Sequence, residues 1–281
     1  MLTSPLACAF LVAANDSGLA PAGIAAPRNS LRLCARALAH VDVWQTDYRA
    51  TRDAVLRAGR RLRGLALAIL RQPRASGWFG PLDVERQVFV SRDGRPPEQR
   101  RFVAVKPPLT DWERYAGKSR NGLFTTTMAD GAEGMTSLLA AIEEGAGDVS
   151  VGYQVPPACW WLKPAASVKV YEIDGAMAWH ELCARYPSVG KSDSATPDFS
   201  QDDGRLTPDW PAVAIDWDAV HMSLGGLLLS EQVRVESGVG WTYQWSWNIE
   251  QTMWLRWTFK EARQLPDCMM QLASRSTEAS Q

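Results

Sequence analysis

The amino-acid sequence is informative first for what it lacks. No run approaches the ~18 consecutive apolar residues that a membrane-spanning helix needs, so we expect a soluble protein without a membrane partner. Only three histidines occur, and neither a CxxC nor an HxxxH spacing is present, which argues against a structural zinc site. The motif GxSxG, the P-loop motif and a GxGxxG after a strand are also missing. The sequence therefore excludes several familiar catalytic sites.

Disulfide bonds are not expected either. An odd number of cysteines without paired spacing is typical of a reducing compartment, so we expect free thiols and a cytoplasmic location. The apolar run from 5 to 14 has no Lys or Arg before it, whereas a secretion signal begins with basic residues. We therefore expect that run to form a buried helix or strand. The five cysteines are Cys8, Cys34, Cys159, Cys183 and Cys268.

Charge is balanced overall but not along the chain. Residues 1–75 contain eleven arginines and four acids, a net charge of +7, while the whole chain carries −1. Such asymmetry indicates either a surface for nucleic acid or an acidic partner, or two halves of one protein that dock on each other. The arginines of an amphipathic helix expected over 48–72 (Arg57, Arg60, Arg61 and Arg63) are the candidate nucleic-acid contacts.

The spacing of apolar residues predicts an α+β fold. We expect a mostly antiparallel C-terminal sheet, preceded by an N-terminal region of helix and hairpin. We expect the chain to divide into a basic helix and hairpin region over 1–108, a catalytic α+β region over 109–265 and a tail over 266–281. All three could also form one compact domain. Strands are predicted over 84–91, 101–105, 123–127 and 168–171, helices over 48–72, 136–144 and 175–186, and loops over 15–30 and 188–208.

Tryptophan is concentrated in the final third of the chain. Trp241, Tyr243, Trp245 and Trp247 occupy alternate positions, a period of two that predicts a strand with one aromatic face. Small or hydrogen-bonding residues occupy the positions between them. A single acid, Glu250, follows this strongly aromatic segment.

A carboxylate among tryptophans loses hydration, so a buried Glu250 needs hydrogen bonds or a cation. Hydroxyl donors can keep it ionised without cancelling its charge, and Thr125, Thr126 and Thr127 supply three in a row. Two structural interpretations stay open. Threonine-rich strands are common because of β-propensity, and Glu250 could pair with Arg256.

An arginine, a hydroxyl-bearing strand and a late strand-borne glutamate resemble the Arg–Ser/Thr–Glu layout of the ADP-ribosyltransferase superfamily. The resemblance covers roughly residues 114–259. It implies that Glu250 is catalytic, stabilising an oxocarbenium-like transition state, and that ADP-ribose passes from NAD to a protein or nucleic-acid acceptor. This activity is compatible with a toxin or antiphage role. The residues implied in NAD binding are Arg120, Gly122, Phe124, Thr125, Thr126, Thr127, His221, Ser223 and Trp247.

The chain departs from the family pattern at two points. Asn248 stands where the family often has a second Glu or Gln, which leaves the acceptor open. Arg120 adjoins the hydroxyl strand, whereas the family arginine usually comes from an earlier strand, so Arg114 and Arg36 are alternatives.

Two other functions stay open. Asp216 and Asp218 form a DxD that could bind a divalent metal, as in glycosyltransferases and nucleases. Alternatively, the arginine-rich helix could make the chain a non-enzymatic module that binds nucleic acid or protein.

Overall fold

The computed structural model describes residues 2–41, 48–106, 121–129, 134–188, 204–245 and 247–266. Within these ranges, no helix combines the length and apolarity needed to cross a bilayer. Four cysteines fall in the described part, and all are buried and form no disulfide bond there.

Helices form most of the N-terminal part and recur between the strands. Ten α-helices lie in the described ranges: α1 Pro5–Asp16, α2 Pro21–Ile24, α3 Pro27–Leu38, α4 Tyr48–Arg61, α5 Arg63–Leu70, α6 Ser137–Glu143, α7 Gly147–Ser150, α8 Ala176–Arg185, α9 Trp210–Asp216 and α10 Leu224–Ser230. Three 3-10 segments accompany them: η1 Pro73–Phe79, η2 Val84–Arg86 and η3 Gln99–Arg101.

The first three helices follow from the apolar run and two prolines. The run from 5 to 14 forms α1, a buried helix whose N-cap Ser4 accepts a hydrogen bond from the Ala7 N–H. The expectation of a loop over 15–30 was wrong, because Pro21 and Pro27 each occupy the first turn of a helix. Proline is favoured there, since its missing N–H has no partner in a helix and its fixed φ suits the turn.

The basic helix expected over 48–72 is confirmed as α4 and α5, which are separated at Leu62. α4 packs against α1. Gly59 permits this approach, because a Cβ there would lie 2.4 Å from Cβ of Cys8. The arginines named above are exposed, and Arg60 donates a hydrogen bond to the backbone oxygen of Leu2, shortly before α1.

The strands form a seven-stranded, mostly antiparallel sheet, as expected, and a separate hairpin. The sheet order is β4-β5-β8-β2-β1-β3-β9, only β4 and β5 being parallel, while β6 pairs with β7. β1 lies in the range 1–108 and the other six strands of the sheet in 109–265, so both ranges contribute to one sheet. The strands are β1 Gln87–Ser91, β2 Leu123–Thr127, β3 Ala158–Pro164, β4 Val170–Ile173, β5 Ala219–Met222, β6 Arg234–Ser237, β7 Gly240–Tyr243, β8 Gln251–Trp254 and β9 Phe259–Leu265.

Two local predictions were wrong in the same region. β1 does not pair with 101–105, because β2 and β3 occupy its two edges and η3 replaces the start of the expected partner. Residues 84–86 form η2 rather than strand, since the Asp83 side chain accepts the Glu85 N–H and caps a turn. The helix expected over 175–186 is present as α8, whose N-cap is Gly175.

The prediction of a strand with one aromatic face, formed by Trp241, Tyr243, Trp245 and Trp247, is also corrected. β7 ends at Tyr243, and its buried positions include the polar Thr242, whereas Trp241 and Tyr243 are partly exposed. Thr242 faces inward because its hydroxyl hydrogen-bonds to His180, and Arg234 lies 4.2 Å from the ring centre of Trp241 on the outer side. Hydrogen bonding and a cation–π contact therefore override the hydrophobic pattern.

The two faces of the sheet differ in chemistry. Val88, Val220 and Met253 belong to the main apolar core, which also contains residues of α1, α3 and α6. The opposite face has a smaller apolar cluster around Trp254 and Phe259, next to a group of polar side chains. This polar group marks the candidate site.

Candidate functional site

A row of polar residues crosses four adjacent strands. Glu172 on β4 is the register partner of His221 on β5, which in turn pairs with Thr252 on β8, and Thr252 pairs with Thr125 on β2. Direct cross-strand partners share a face, so all four side chains lie on the same side of the sheet. Glu250 precedes Thr252 by two residues and belongs to the same side.

Glu250 lies at the bend that leads into β8. Asn248, just before it, has φ of 64°, a left-handed conformation that Asn tolerates better than most residues. The chain thereby turns out of the core at fully buried Trp247 and enters the sheet with Glu250 only 6% exposed. Asn248 therefore has a backbone role at this turn.

Three groups contact the Glu250 carboxylate. The backbone N–H of Thr127 donates to both oxygens at 3.2 Å. The hydroxyl oxygen of Ser137 lies 2.9 Å from Oε2 and 2.5 Å from the backbone oxygen of Glu250, so its single hydrogen is shared between them. Nε2 of His221 lies 3.4 Å from Oε1. Arg256 does not pair with Glu250; it lies 3.4 Å from Asp218.

His221 links two carboxylates. Its Nδ1 lies 2.6 Å from Glu172 Oε2, while Leu82 donates its N–H to the other Glu172 oxygen. Burial lowers the pKa of His221, but the hydrogen bond to Glu172 and the proximity of Glu250 outweigh it and raise the pKa to about 9. The ring is therefore an imidazolium at neutral pH. With both carboxylates ionised, the cluster of Glu172, His221 and Glu250 carries one net negative charge.

This cluster reaches the floor of a cleft of about 690 Å³. His221, Glu250 and Thr127 line the floor, and α3, η1 and the segment before β1 contribute the walls. Three arginines stand against one aspartate on those walls: Arg28, Arg74, Arg86 and Asp83. A cationic cleft with a carboxylate at its base suits a ligand that carries both anionic groups and hydroxyls.

Two consecutive glycines bring η1 close to the sheet. A Cβ at Gly225 would lie 2.3 Å from the Phe79 ring, and one at Gly226 would lie 1.9 Å from the backbone oxygen of Ile173. Only glycine allows α10 to pack this closely against β4 and η1. Ser223 is the N-cap of α10, accepting the Gly226 N–H, and also lines the cleft.

The threonines do not act as the sequence predicted. Thr127 contacts Glu250 through its backbone, and its hydroxyl accepts a hydrogen bond from Gln87. The Thr125 hydroxyl bonds to Gln87 and Trp254. Thr126 points to the opposite face, where its hydroxyl is buried without a hydrogen-bond partner among the described residues. The hydroxyl on Glu250 comes instead from Ser137.

Other residues implied in NAD binding lie away from the cleft. Gly122 has φ of 97° and passes so close to β8 that a Cβ would lie 2.8 Å from the Trp254 oxygen. Phe124 packs on the main core, and Trp247 is fully buried, 6.2 Å from Trp179 between ring centres. Arg36 is bound to Glu144.

Arg120 and its alternative Arg114 fall outside the described residues. The same is true of positions 189–203 of the long loop expected over 188–208.

The aspartates of the DxD are already occupied. Asp216 accepts the Tyr186 hydroxyl at 2.6 Å, while Asp218 accepts the Lys169 N–H and pairs with Arg256. Within the described ranges, no group of three or more His, Cys, Asp or Glu side chains could hold a metal ion. The geometry therefore gives no support to the metal-dependent alternative.

Sequence reasoning missed Glu172, Ser137 and the arginines Arg28 and Arg74. Glu172 was detectable only as an acid within an apolar strand, and Ser137 as the residue after a helix cap. Nothing in the spacing places either near Glu250. Strand order and register bring Glu172 to His221, which contacts Glu250, and the packing of α6 against β2 brings Ser137 to Glu250.

No protein-family model, curated protein or solved structure gives a significant match to this chain. The function is therefore argued from the chemistry of the cleft.

Proposed function

We propose that this chain is an NAD-dependent ADP-ribosyltransferase, with Glu250 as the catalytic residue and a macromolecule as acceptor. The observation that carries the proposal is a single carboxylate, held by two hydrogen-bond donors, on the floor of an arginine-walled cleft of about 690 Å³. Pockets of ~300–1,000 Å³ are usual for small-molecule ligands and cofactors. The Arg–Ser/Thr–Glu resemblance suggests the reaction.

The residues present suit this chemistry. In NAD the glycosidic bond joins a ribose to nicotinamide, which is cationic. This leaving group needs little help from an acid to depart. Glu250 holds a fixed negative charge where positive charge develops on the sugar, and its two donors prevent it from turning away. His221 shares its positive charge between Glu172 and Glu250, so the cluster stays anionic. Trp78 also lines the cleft, and an aromatic ring favours a cationic ligand.

The test is transfer of label from NAD to acceptors in a cell extract, comparing the wild type with Glu250→Gln. We expect the wild type to transfer label and the variant to lose at least about 100-fold in rate, as is usual when a charge-stabilising group is removed. Glu231→Gln is the matched control, because Glu231 is equally buried but lies outside the cleft. Thermal melting establishes that each variant is folded.

Two results contradict the proposal. One is label transfer that survives in folded Glu250→Gln. The other is a wild type that neither binds NAD nor transfers label. A loss in both variants alike would show that buried glutamates matter for folding and not for chemistry.

A second candidate function is nucleic-acid binding by the surface of α4 and α5. Arg57, Arg60, Arg61 and Arg63 are exposed, and none forms an ion pair with a described residue. Unpaired arginines on one helix pair repel each other, and polyanion phosphates would relieve this repulsion. This surface could serve as the whole function, or could recruit a nucleic-acid acceptor to the cleft.

Fluorescence anisotropy with labelled DNA and RNA at several salt concentrations tests this second candidate. Arg57→Glu combined with Arg61→Glu should abolish binding. Lys260→Glu combined with Arg263→Glu changes the net charge by the same amount at two exposed residues of the edge strand β9, and this double variant should preserve most of the binding. Equal losses in the two double variants would mean that overall charge, and not this surface, attracts the nucleic acid.

A further inference from the structure

The seven-stranded sheet ends at β9, which pairs with β3 and with no other strand of the described part. In an antiparallel strand, every second residue directs its backbone N–H and C=O away from the neighbouring strand. The outer edge of β9 therefore presents a row of peptide groups that can pair with another strand. The opposite end of the sheet differs, because β4 has only four residues and packs against α8.

β9 is anchored at its two ends and exposed between them. Phe259 at its start is buried, with its ring centre 4.6 Å from that of Trp254, and Leu265 at its end is partly buried against the main core. The five residues from 260 to 264 are all exposed, so both faces of the strand are accessible there. Because the strand is already ordered, a second strand can pair with it without the entropy cost of ordering it first.

The exposed residues of β9 are complementary in charge to a second copy of themselves. Glu261 and Arg263 stand on either side of the small Ala262 and share one face of the strand, the face on which Arg263 lies 5.2 Å from the ring centre of Trp161. When two copies of a strand pair about a two-fold axis, the positions before and after the central residue face each other. With Ala262 at the centre, Glu261 of each copy faces Arg263 of the other, which gives two favourable charge pairs.

Charge also selects this register among its neighbours. Two copies can pair only about a residue that faces itself, because a shift of one residue would place every side chain on the wrong face. A register centred on Glu261 sets two carboxylates opposite each other, and one centred on Arg263 sets two guanidinium groups opposite each other. Exposed charges usually protect a strand edge from pairing. These charges oppose the neighbouring registers and favour the one about Ala262.

We infer that β9 is a docking surface for a second copy of this chain, paired antiparallel about Ala262 so that two seven-stranded sheets join edge to edge. The inference goes beyond the proposed function and does not depend on it, since β9 contributes no residue to the cleft. Lys260 lies at the register irregularity between β9 and β3, so the regular pairing involves 261–265. An interface of one strand edge is small, and we therefore expect a weak dimer with a Kd of about 100 μM at low salt.

The experiment is sedimentation velocity of the full chain at low salt, from about 5 to about 500 μM, which measures the Kd of the dimer. Glu261→Arg and Arg263→Glu each set like charges opposite each other at both pairs, so each should weaken dimerisation at least about tenfold. The double variant Glu261→Arg, Arg263→Glu exchanges the charges and should restore the dimer. Glu236→Arg is the matched control, because Glu236 is also exposed and two residues from an exposed arginine, but lies on β6, outside the seven-stranded sheet.

A mixture of the two single variants gives an independent test of the same charge pairs. One variant presents two positive side chains at positions 261 and 263, and the other presents two negative ones. The mixture should therefore form a heterodimer, although each variant alone stays monomeric.

Oxidative crosslinking tests the register directly. In a Cys268→Ser background, Ala262→Cys brings two thiols together at the axis, where the Cα atoms of paired residues lie about 4.5–5.5 Å apart, within reach of a disulfide bond. Gln264→Cys is the control, since the two copies of position 264 are four residues apart along the strands, a distance of ~13 Å. We expect a covalent dimer for Ala262→Cys and none for Gln264→Cys.

Four results would overturn the inference. One is a wild type that stays monomeric at about 500 μM, far above the expected Kd. Another is a dimer that Glu261→Arg and Arg263→Glu leave unchanged. An equal loss in Glu236→Arg would show that net charge, and not β9, governs association. A charge-exchanged double variant that is folded by circular dichroism but stays monomeric would reject the register about Ala262, as would crosslinking through position 264.

Discussion

The protonation of His221 predicts a specific loss of stability at alkaline pH. Its pKa is raised to about 9 in the folded protein, against ~6.5 for an unperturbed histidine. Because the folded value is the higher one, the stabilisation is complete below about pH 6.5 and is lost as the pH rises through 9. A difference of about 2.5 pKa units corresponds to about 3 kcal/mol of unfolding free energy.

The assay compares the wild type with His221→Gln. Tryptophan fluorescence during urea unfolding gives the free energy of unfolding of each protein at several pH values from 6 to 10. Subtracting one curve from the other removes titrations that both proteins share. We expect the advantage of the wild type to shrink by about 3 kcal/mol between pH 6 and pH 10.

His180→Gln is the matched control, because the two ring nitrogens of His180 contact the hydroxyls of Thr242 and Ser237. Its difference curve should not reproduce the alkaline loss. Imidazole NMR signals give a second readout, since Glu172→Gln removes one carboxylate and should lower the pKa of His221. A flat His221→Gln difference curve, or a His221 resonance that titrates near 6.5, would refute the reasoning.

Two other predictions concern packing around the site. Gly226→Ala should lower the unfolding free energy by about 3 kcal/mol, because the added Cβ would lie 1.9 Å from the Ile173 backbone oxygen. The control Gly64→Ala places a Cβ in open space on α5 and should raise the unfolding free energy by about 0.5–1 kcal/mol. Thermal and urea unfolding measure both, and equal effects would contradict the close packing of α10. Thr125→Val should cost about 2–4 kcal/mol, since it removes the donor to Gln87 Oε1 and the acceptor of the Trp254 indole N–H. Thr126→Val should be neutral or stabilising, because the Thr126 hydroxyl is buried without a hydrogen-bond partner among the described residues. A larger loss for Thr126→Val in the same assays would invalidate the assignment of the two faces of β2.

The sequence was sufficient to predict those helices and strands whose residue pattern is local. The helices over 48–72 and 136–144 follow from apolar spacing, and the strand over 123–127 follows from its β-branched threonines. The sequence also singled out Glu250 as an acid in an aromatic setting. By contrast, 15–30 was misread because proline starts helices as well as ending them.

The tertiary structure decided which residues meet at the site. Strand order and register set Glu172 beside His221 and Thr127 beside Glu250, although these pairs are separated by 49 and 123 residues. The same packing folds α3 over the strand ends, so that arginines from the N-terminal part face a carboxylate from the C-terminal part. Periodicity reports only which face of an element is apolar. It carries no information about the neighbouring element, since burial is non-directional and many strand orders satisfy the same pattern.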